Sequence, residues 1–420
     1  MTRRALVTGL GFITPIGNDR AKVTEHLRQG IHGFEMVEFL SNPRLTVRVA
    51  GTIKDFVANT PHWRDWRYPE KFSGVRDAIR GLAPHGLYAF CAMQEALADA
   101  QLDPDALKDG ETGLYCASSG SAIMTHHHVG RIVETRGERC GPMGVVTSIS
   151  GSLNFNLASH FGIRGAVSGF AAACASSSHA LGCALDDIRL GRQKRMIVVG
   201  AEDATAETIL PFAAMRALST NPDPALASRP FDADRDGFVG SGGAVALIVE
   251  EADFALQRGA PVYAELAGWG QAADGYNIAI SHPEGTGLSD AIRRALVDTH
   301  LEPGQIDYVN AHATSTSAGD RSEALALRKI FTTVGAKPRI SSTKGLTGHT
   351  FAMSGVMEAA FGSLAIKDGF TPGNPHLQTP DACCEGLDLP RTTLLEQPRT
   401  VLSTSSGFGG SNVALILRQV

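Results

Sequence analysis

The sequence is poor in the features that would tie it to a nucleic acid, a membrane or a disulfide-stapled exterior. Aromatic residues make up only 6% of it and the formal net charge is -5, so it lacks the broad basic surface that nucleic acids or anionic membranes favour. Attraction to an acidic protein would have to be local. No stretch approaches the roughly 20 uninterrupted apolar residues of a membrane-spanning helix. The cysteines, Cys91, Cys116, Cys140, Cys174, Cys183, Cys383 and Cys384, are odd in number and irregularly spaced. That argues against a disulfide framework and for a reducing, cytoplasmic setting. Arg3 and Arg4 precede an apolar stretch, but Gly9, Gly11, Pro15 and Gly17 interrupt it, so no signal peptide is expected.

Glycine is what the chain has in excess, 46 of 420 residues beside an otherwise ordinary 43% hydrophobic and 19% charged content. The excess reads as many tight turns in a globular protein. The length allows two units or one large duplicated one. Short apolar runs alternate with helical patterns throughout, which predicts α/β layering with buried strands. Strands are expected over Ala5 to Thr8, Gly113 to Ala117, Met196 to Gly200, Val245 to Glu250, Val262 to Leu266, Tyr308 to Ala311, Ile340 to Ser342 and Val413 to Leu417. Helices are expected over His85 to Ala100, Ala175 to Leu190, Ser289 to Thr299, Asp320 to Ile330 and Gly355 to Lys367.

Two pairs of segments look alike and recur in the same order. Leu6-Val-Thr-Gly-Leu-Gly11 resembles Glu265-Leu-Ala-Gly-Trp-Gly270, and the run Gly240 to Val249 resembles Gly407 to Ile416. The match suggests a duplication, with a seam at the helix Ala252 to Arg258. Residues 1-258 would form one half and residues 259-420 the other.

Several motifs invite wrong readings. Gly9-x-Gly11 follows a strand, but Thr14 stands where a dinucleotide site needs its third glycine, so a tight strand exit is expected. Asp232-x-Asp234-x-Asp236-Gly237 opens like a calcium loop, yet Gly243 occupies the twelfth position where a bidentate Glu is required. His126, His127 and His128 are consecutive and would fan apart instead of converging on one ion.

The chemistry gathers elsewhere. In Val167-Ser-Gly-Phe-Ala-Ala-Ala-Cys174-Ala-Ser-Ser-Ser-His-Ala-Leu-Gly182 nearly every neighbour of the cysteine is small, and helical spacing follows it. The thiol should sit where a strand turns into a helix, beside free backbone N-H groups. A helix terminus contributes about 0.3 to 2 kcal/mol and burial opposes it, so a separate base is expected. Asn310-Ala-His312-Ala-Thr-Ser-Thr316-Ser-Ala-Gly-Asp320 and Ser341-Ser-Thr-Lys344-Gly-Leu-Thr-Gly-His349 each carry a histidine past the end of an apolar strand, where ligand crevices of α/β sheets form. Taken singly, each residue has an ordinary explanation: a buried small hydrophobe, two capped loop histidines, an exposed loop lysine.

Together with ASRPFDADRDGFV and SSGFGGSN, these motifs resemble, in order and spacing, the β-ketoacyl-acyl-carrier-protein synthases of type II fatty-acid synthesis, from Val7 to Leu417. The resemblance implies a thiolase-like α/β fold of two duplicated halves in five α-β-α-β-α layers, working as a homodimer. It implies that Cys174 accepts an acyl chain from the carrier's phosphopantetheine thiol, and that His312 and His349 polarise a malonyl thioester as it loses carbon dioxide. Lys344 and Glu358 match supporting charges and Asp320 a supporting acid. Phe408 matches a gating residue whose N-H joins that of Cys174 in an oxyanion hole, and Thr314 and Thr316 match hydroxyls that hold the pantetheine arm. Two neutral N-H donors aimed at a developing enolate need no metal. No covalently bound cofactor is implied.

The sequence departs from the family pattern at Ala313, where a glycine is usual, and at Thr350 to Ser354, where glycine and alanine are usual. Both changes add bulk beside the site and leave acyl length and pathway open between fatty-acid and polyketide-type synthesis. The family's carrier protein is acidic, so Arg64, Arg67 and Lys71, interleaved with aromatic residues, and Arg216 are candidate docking residues; a solvated face is the alternative. Two rival readings are a thiolase, which needs a second late cysteine, and a non-catalytic chain-length partner subunit, which usually lacks the reactive one.

Overall fold

The computed structural model describes residues 3-420. Its centre is a ten-stranded mixed sheet. The strands are β1 (Ala5–Ile13), β2 (Thr112–Ala117), β3 (Val167–Phe170), β4 (Arg195–Glu202), β5 (Gly243–Glu251), β6 (Ala264–Ala273), β7 (Tyr308–Asn310), β8 (Arg339–Ser341), β9 (Thr400–Gly407) and β10 (Ser411–Arg418). Their spatial order is β8-β7-β9-β10-β6-β1-β5-β4-β2-β3. Read outward from the centre, β1-β5-β4-β2-β3 is repeated by β6-β10-β9-β7-β8, each strand matched by the one five places later in the chain. The look-alike segments of the sequence fall on the matched pairs β1/β6 and β5/β10. Within each half the outer three strands are parallel and the inner ones antiparallel. In the sheet the halves join along β1 and β6, where Leu6 pairs with Glu265 and Val7 with Ala264.

Alternation along the strands sorts side chains into three cores. From β5, Val245, Leu247 and Val249 enter the central core while Ala244, Ala246 and Ile248 enter an outer one. From β10, Val413, Leu415 and Leu417 are central while Ala414 and Ile416 face the other outer core. Five helices fill the layers: α1 (Pro84–Asp99), α2 (Ser176–Arg189), α3 (Thr286–Thr299), α4 (Ser317–Phe331) and α5 (Ser354–Asp368). The central layer holds α2 and α5; α1 covers the first half-sheet, and α3 and α4 the second. This is the five-layer arrangement that the family resemblance implied. Helix α5 is buried from Ser354 through Ile366, the mark of a helix packed on every side.

One expectation is corrected. Gly9 and Gly11 do not make a strand exit; they lie inside β1, which continues to Ile13 with a register irregularity between Val7 and Gly9. A Cβ at Gly11 would sit 1.9 Å from the Ala92 carbonyl oxygen, so glycine lets α1 lie directly on the strand. Asp232 and Asp236 cap backbone instead of facing one another: Asp232 accepts from the N-H groups of Asp234, Gln378 and Thr379, and Asp236 from that of Thr220. His126, His127 and His128 lie on the helix Ala122–Thr135, where His127 packs edge-on against His62. No helix among the described residues is long and apolar enough to cross a membrane.

Candidate active site

Cys174 stands at the entrance to α2. The chain leaves β3 and reverses through Ala173, a non-glycine residue at φ +47°. Ser176 holds the turn, its Oγ accepting from the Ala172 N-H at 2.8 Å and donating to the Ala173 carbonyl at 2.6 Å. Such a left-handed residue costs about 1 to 3 kcal/mol and survives where its surroundings over-determine it. Gly407 passes so close that a Cβ there would lie 2.5 Å from the Ala172 carbonyl oxygen. The run of small residues around the cysteine is thereby explained as packing of two backbones.

The thiol is buried, and burial pushes it up to about 12. Lys344 opposes that, Glu202 adds to it, and the backbone N-H groups of Cys174 and Phe408, both directed at the sulfur, oppose it more weakly. Cys174 is therefore a neutral thiol at rest. The nearby base is His349, whose Nε2 lies 3.0 Å from Sγ. Backbone bonds to Val239 and Ser241 pin His349, and its Nδ1 faces Ser354 Oγ at 3.3 Å.

His312 follows β7, and its ring meets that of His349 nearly perpendicularly, 5.4 Å between centroids. Its backbone N-H donates to Glu323 Oε1 at 3.0 Å and to Thr404 Oγ1 at 3.2 Å, while the Ala313 N-H donates to Glu323 Oε2 at 2.6 Å. Burial, then Lys344, hold both imidazoles well below 6.5, with His349 also acting on His312. Both rings are neutral at pH 7. Lys344 is fully buried, not an exposed loop residue, and it is ion-paired with the buried carboxylate of Glu358. Burial raises that carboxyl to about 7 despite the lysine.

Asp320 sits apart from the sulfur. It accepts from the N-H groups of Phe231 at 2.9 Å and Ser315 at 3.1 Å and stands 3.5 Å from Arg235, so it shapes the loop carrying Thr314 and Thr316. Burial raises it to about 7, with Arg235 opposing. The hydroxyls of Thr314 and Thr316 lie 3.1 Å apart on the wall of a cavity of about 320 Å³. Cys174, His312, His349, Glu323, Phe408 and Arg216 share that wall. Phe408 is 39% exposed at the rim, its ring centroid 6.0 Å from that of Phe212. Arg64 and Arg67 belong to a separate surface groove with Trp63, Trp66 and Tyr68, and Lys71 pairs with Glu95 at 2.9 Å.

Glu323 is the site residue that sequence reasoning missed. Its signal was an acid on the apolar face of α4, three positions after Asp320 and beside Ala324 and Leu327. The late cysteines Cys383 and Cys384 lie in the outer core of the second half and do not reach the cavity wall. Among the described residues, Cys174, His312 and His349 form the one group of three donors close enough to hold a metal ion, their atoms within 4.8 Å of one another.

Family comparison agrees with this geometry. The model for the β-ketoacyl synthase N-terminal domain matches residues 2–255, and that for the β-ketoacyl synthase C-terminal domain matches residues 263–378. The chain belongs to the β-ketoacyl synthase family. It is 37% identical to a 3-oxoacyl-[acyl-carrier-protein] synthase 1 of Haemophilus influenzae, with 99% of each chain covered. Among solved structures, a β-ketoacyl synthase from Burkholderia phymatum superposes with a TM-score of 0.90 at 30% identity, covering 100% of both chains. A type II polyketide ketosynthase in complex with its acyl-carrier protein, bound to a hexaketide, superposes at 0.86 with 26% identity and the same full coverage. The thiolase-like fold of the β-ketoacyl synthases is thus the fold of this chain.

Proposed function

We infer that the protein is a 3-oxoacyl-[acyl-carrier-protein] synthase, an acyltransferase that lengthens a thioester-bound chain by decarboxylative condensation. The observation that carries this reading is the 3.0 Å approach of Cys174 Sγ to His349 Nε2 on one cavity wall with His312. In the first step the thiol gives its proton to an imidazole, the sulfur attacks the acyl thioester, and the bond to the carrier's phosphopantetheine sulfur breaks; that sulfur leaves with the proton. The N-H groups of Cys174 and Phe408 receive the oxyanion. In the second, a malonyl thioester loses carbon dioxide, and the electron pair of the broken bond becomes an enolate. Neutral His312 and His349 donate to its oxygen, an interaction that strengthens only as charge develops. The enolate carbon attacks the acyl group, the bond to Cys174 breaks, and the released thiolate takes up a proton from solvent.

Lys344 and Glu358 act as the buried charges behind the imidazoles, Asp320 and Glu323 hold the loop, and Thr314 and Thr316 steady the pantetheine arm. Arg216 at the cavity mouth supports docking of an acidic carrier protein there, with Arg64, Arg67 and Lys71 as outlying contacts. The exposed edge of β3, where Val167 is 40% exposed, supports pairing with a second copy in a homodimer. We place the seam between residues 258 and 259, and the enzyme in the cytoplasm, in fatty-acid or polyketide-type synthesis. The reactive cysteine in place argues against a chain-length partner subunit, and Cys383 and Cys384 away from the cavity argue against a thiolase.

Incubation with an acyl carrier should add the acyl mass to Cys174, seen by intact mass. Malonyl carrier should then yield a chain two carbons longer with release of carbon dioxide. No adduct would favour the partner subunit, and extension without decarboxylation the thiolase. For docking, Arg67→Glu and Arg216→Glu should weaken carrier affinity at low salt; unchanged affinity would remove these residues from the interface.

A further inference from the structure

The three reacting side chains also make a set of metal donors. A tetrahedral zinc site has Zn–S near 2.3 Å and Zn–N about 2.0 to 2.1 Å, which separates sulfur from nitrogen by about 3.5 Å. Here Sγ and His349 Nε2 stand 3.0 Å apart, and all three donors lie within 4.8 Å. Shifts of about an ångström would therefore seat an ion between them. Ser354 Oγ, 3.3 Å from His349 Nδ1, is an outer partner of the kind that orients a ligating imidazole. His312 Nδ1 is buried with no hydrogen-bond partner, so ligation need not break an existing bond there. A fourth position would open onto the cavity.

Lys344 is the obvious objection, since it is a buried cation close to both rings. It does not stand alone. Glu358 pairs with it, and Glu323 lies against the His312 backbone, so acidic groups stand against the lysine. We propose that Cys174, His312 and His349 form an inhibitory site for zinc-class divalent cations, which take the nucleophilic sulfur and reversibly stop acyl transfer. The balance is simple: the ion binds Sγ and one nitrogen of each ring, and the thiol proton goes to solvent. Nothing is oxidised. The inhibition half of the proposal rests on the synthase reading; the binding half does not.

Co²⁺ is the probe, because cobalt–thiolate bonds absorb where the apoprotein does not. The full chain should bind one Co²⁺ with a thiolate charge-transfer band, Zn²⁺ should displace it, and each ion should release about one proton. Cys174→Ser should abolish the band, and His312→Ala should weaken binding at least about tenfold. Wild-type protein alkylated at Cys174, verified by mass, serves the same purpose should the serine variant misfold. The competing thiols are Cys383 and Cys384, whose sulfurs lie 3.8 Å apart; the double variant Cys383→Ser, Cys384→Ser should keep the band. In parallel, Zn²⁺ should block the acyl adduct and a chelator should restore it. A band that survives loss of Cys174, or disappears with Cys383 and Cys384, overturns the proposal. A chain that forms the acyl adduct but shows no band overturns the zinc site alone; one with the band and no adduct overturns the synthase reading and leaves the zinc site standing.

Discussion

The two halves of the sheet repeat each other strand for strand, yet they contribute opposite chemistry. In the first, the crossing from β3 to the central helix α2 carries a neutral thiol among small residues. In the second, the crossing from β8 to the central helix α5 carries Lys344 and then His349, and Glu358 on α5 pairs with the lysine. His312 follows β7 as Ser119 follows β2. Each of these loops is anchored by a buried carboxylate: Glu202 accepts from the Ser119 N-H at 2.9 Å, and Glu323 accepts from that of His312 at 3.0 Å. Duplication thus supplies two equivalent cradles at strand ends, and the reaction arises from filling them differently.

That division can be broken from either side. The largest effect should follow Cys174→Ala, which removes the nucleophile and should lower condensation by at least about a thousandfold. Carbon dioxide release from malonyl carrier should be partly kept, since the second half is untouched. Losing both activities would contradict the division. Next comes Lys344→Ala, which strands Glu358 in a fully buried position and should cost about 3 to 5 kcal/mol, read as a lowered denaturation midpoint. A variant as stable as the parent would show the ion pair to be expendable. Glu323→Gln keeps the shape of the anchor but removes the charge that accepts from His312, Ala313 and Thr404, at a cost of about 1.5 to 3 kcal/mol.

The subtlest contrast is in pH. Because burial holds the Cys174 thiol up near 12, alkylation of the resting enzyme at this residue should keep climbing through about pH 10. A plateau near neutrality would reveal a thiolate–imidazolium pair instead. His312 and His349 are held well below 6.5, so the acid limb of the condensation profile should lie below that value. The same shift acts on stability. Below pH 6.5 the unfolded chain binds protons that the native histidines refuse, so stability should fall as pH drops, not as it rises.

The residues of the candidate site left partial local signatures in the sequence, at strand ends and in small-residue turns. Cys174, His312, His349 and Lys344 each had an ordinary explanation when taken singly and were singled out by the family resemblance, whereas helices with regular apolar spacing were bounded within about three residues. What was missed is polar and buried. Strand β9, Thr-Val-Leu-Ser-Thr-Ser-Ser-Gly, lacks an apolar run because it faces the site: Thr404 donates to Glu323, and Ser405 meets Ser178 at 2.7 Å. Glu323 went unread because only tertiary structure brings two backbone N-H groups to it. Strand β3 is four residues long and largely exposed, so its turn into a helix could be read from the sequence but not its bounds. The bulk at Phe351 proved to be a left-handed residue at φ +49°, its ring stacked on that of Phe212 at 5.0 Å. Sequence could register the added volume but not the conformation.

The most direct test separates the two cradles in a single variant. His312→Ala should still take an acyl adduct on Cys174, measured by intact mass, while carbon dioxide release from malonyl carrier falls by about a hundredfold or more. If the variant loses the adduct together with decarboxylation, or keeps both, the sulfur and the imidazoles do not divide the work as the structure's two halves do.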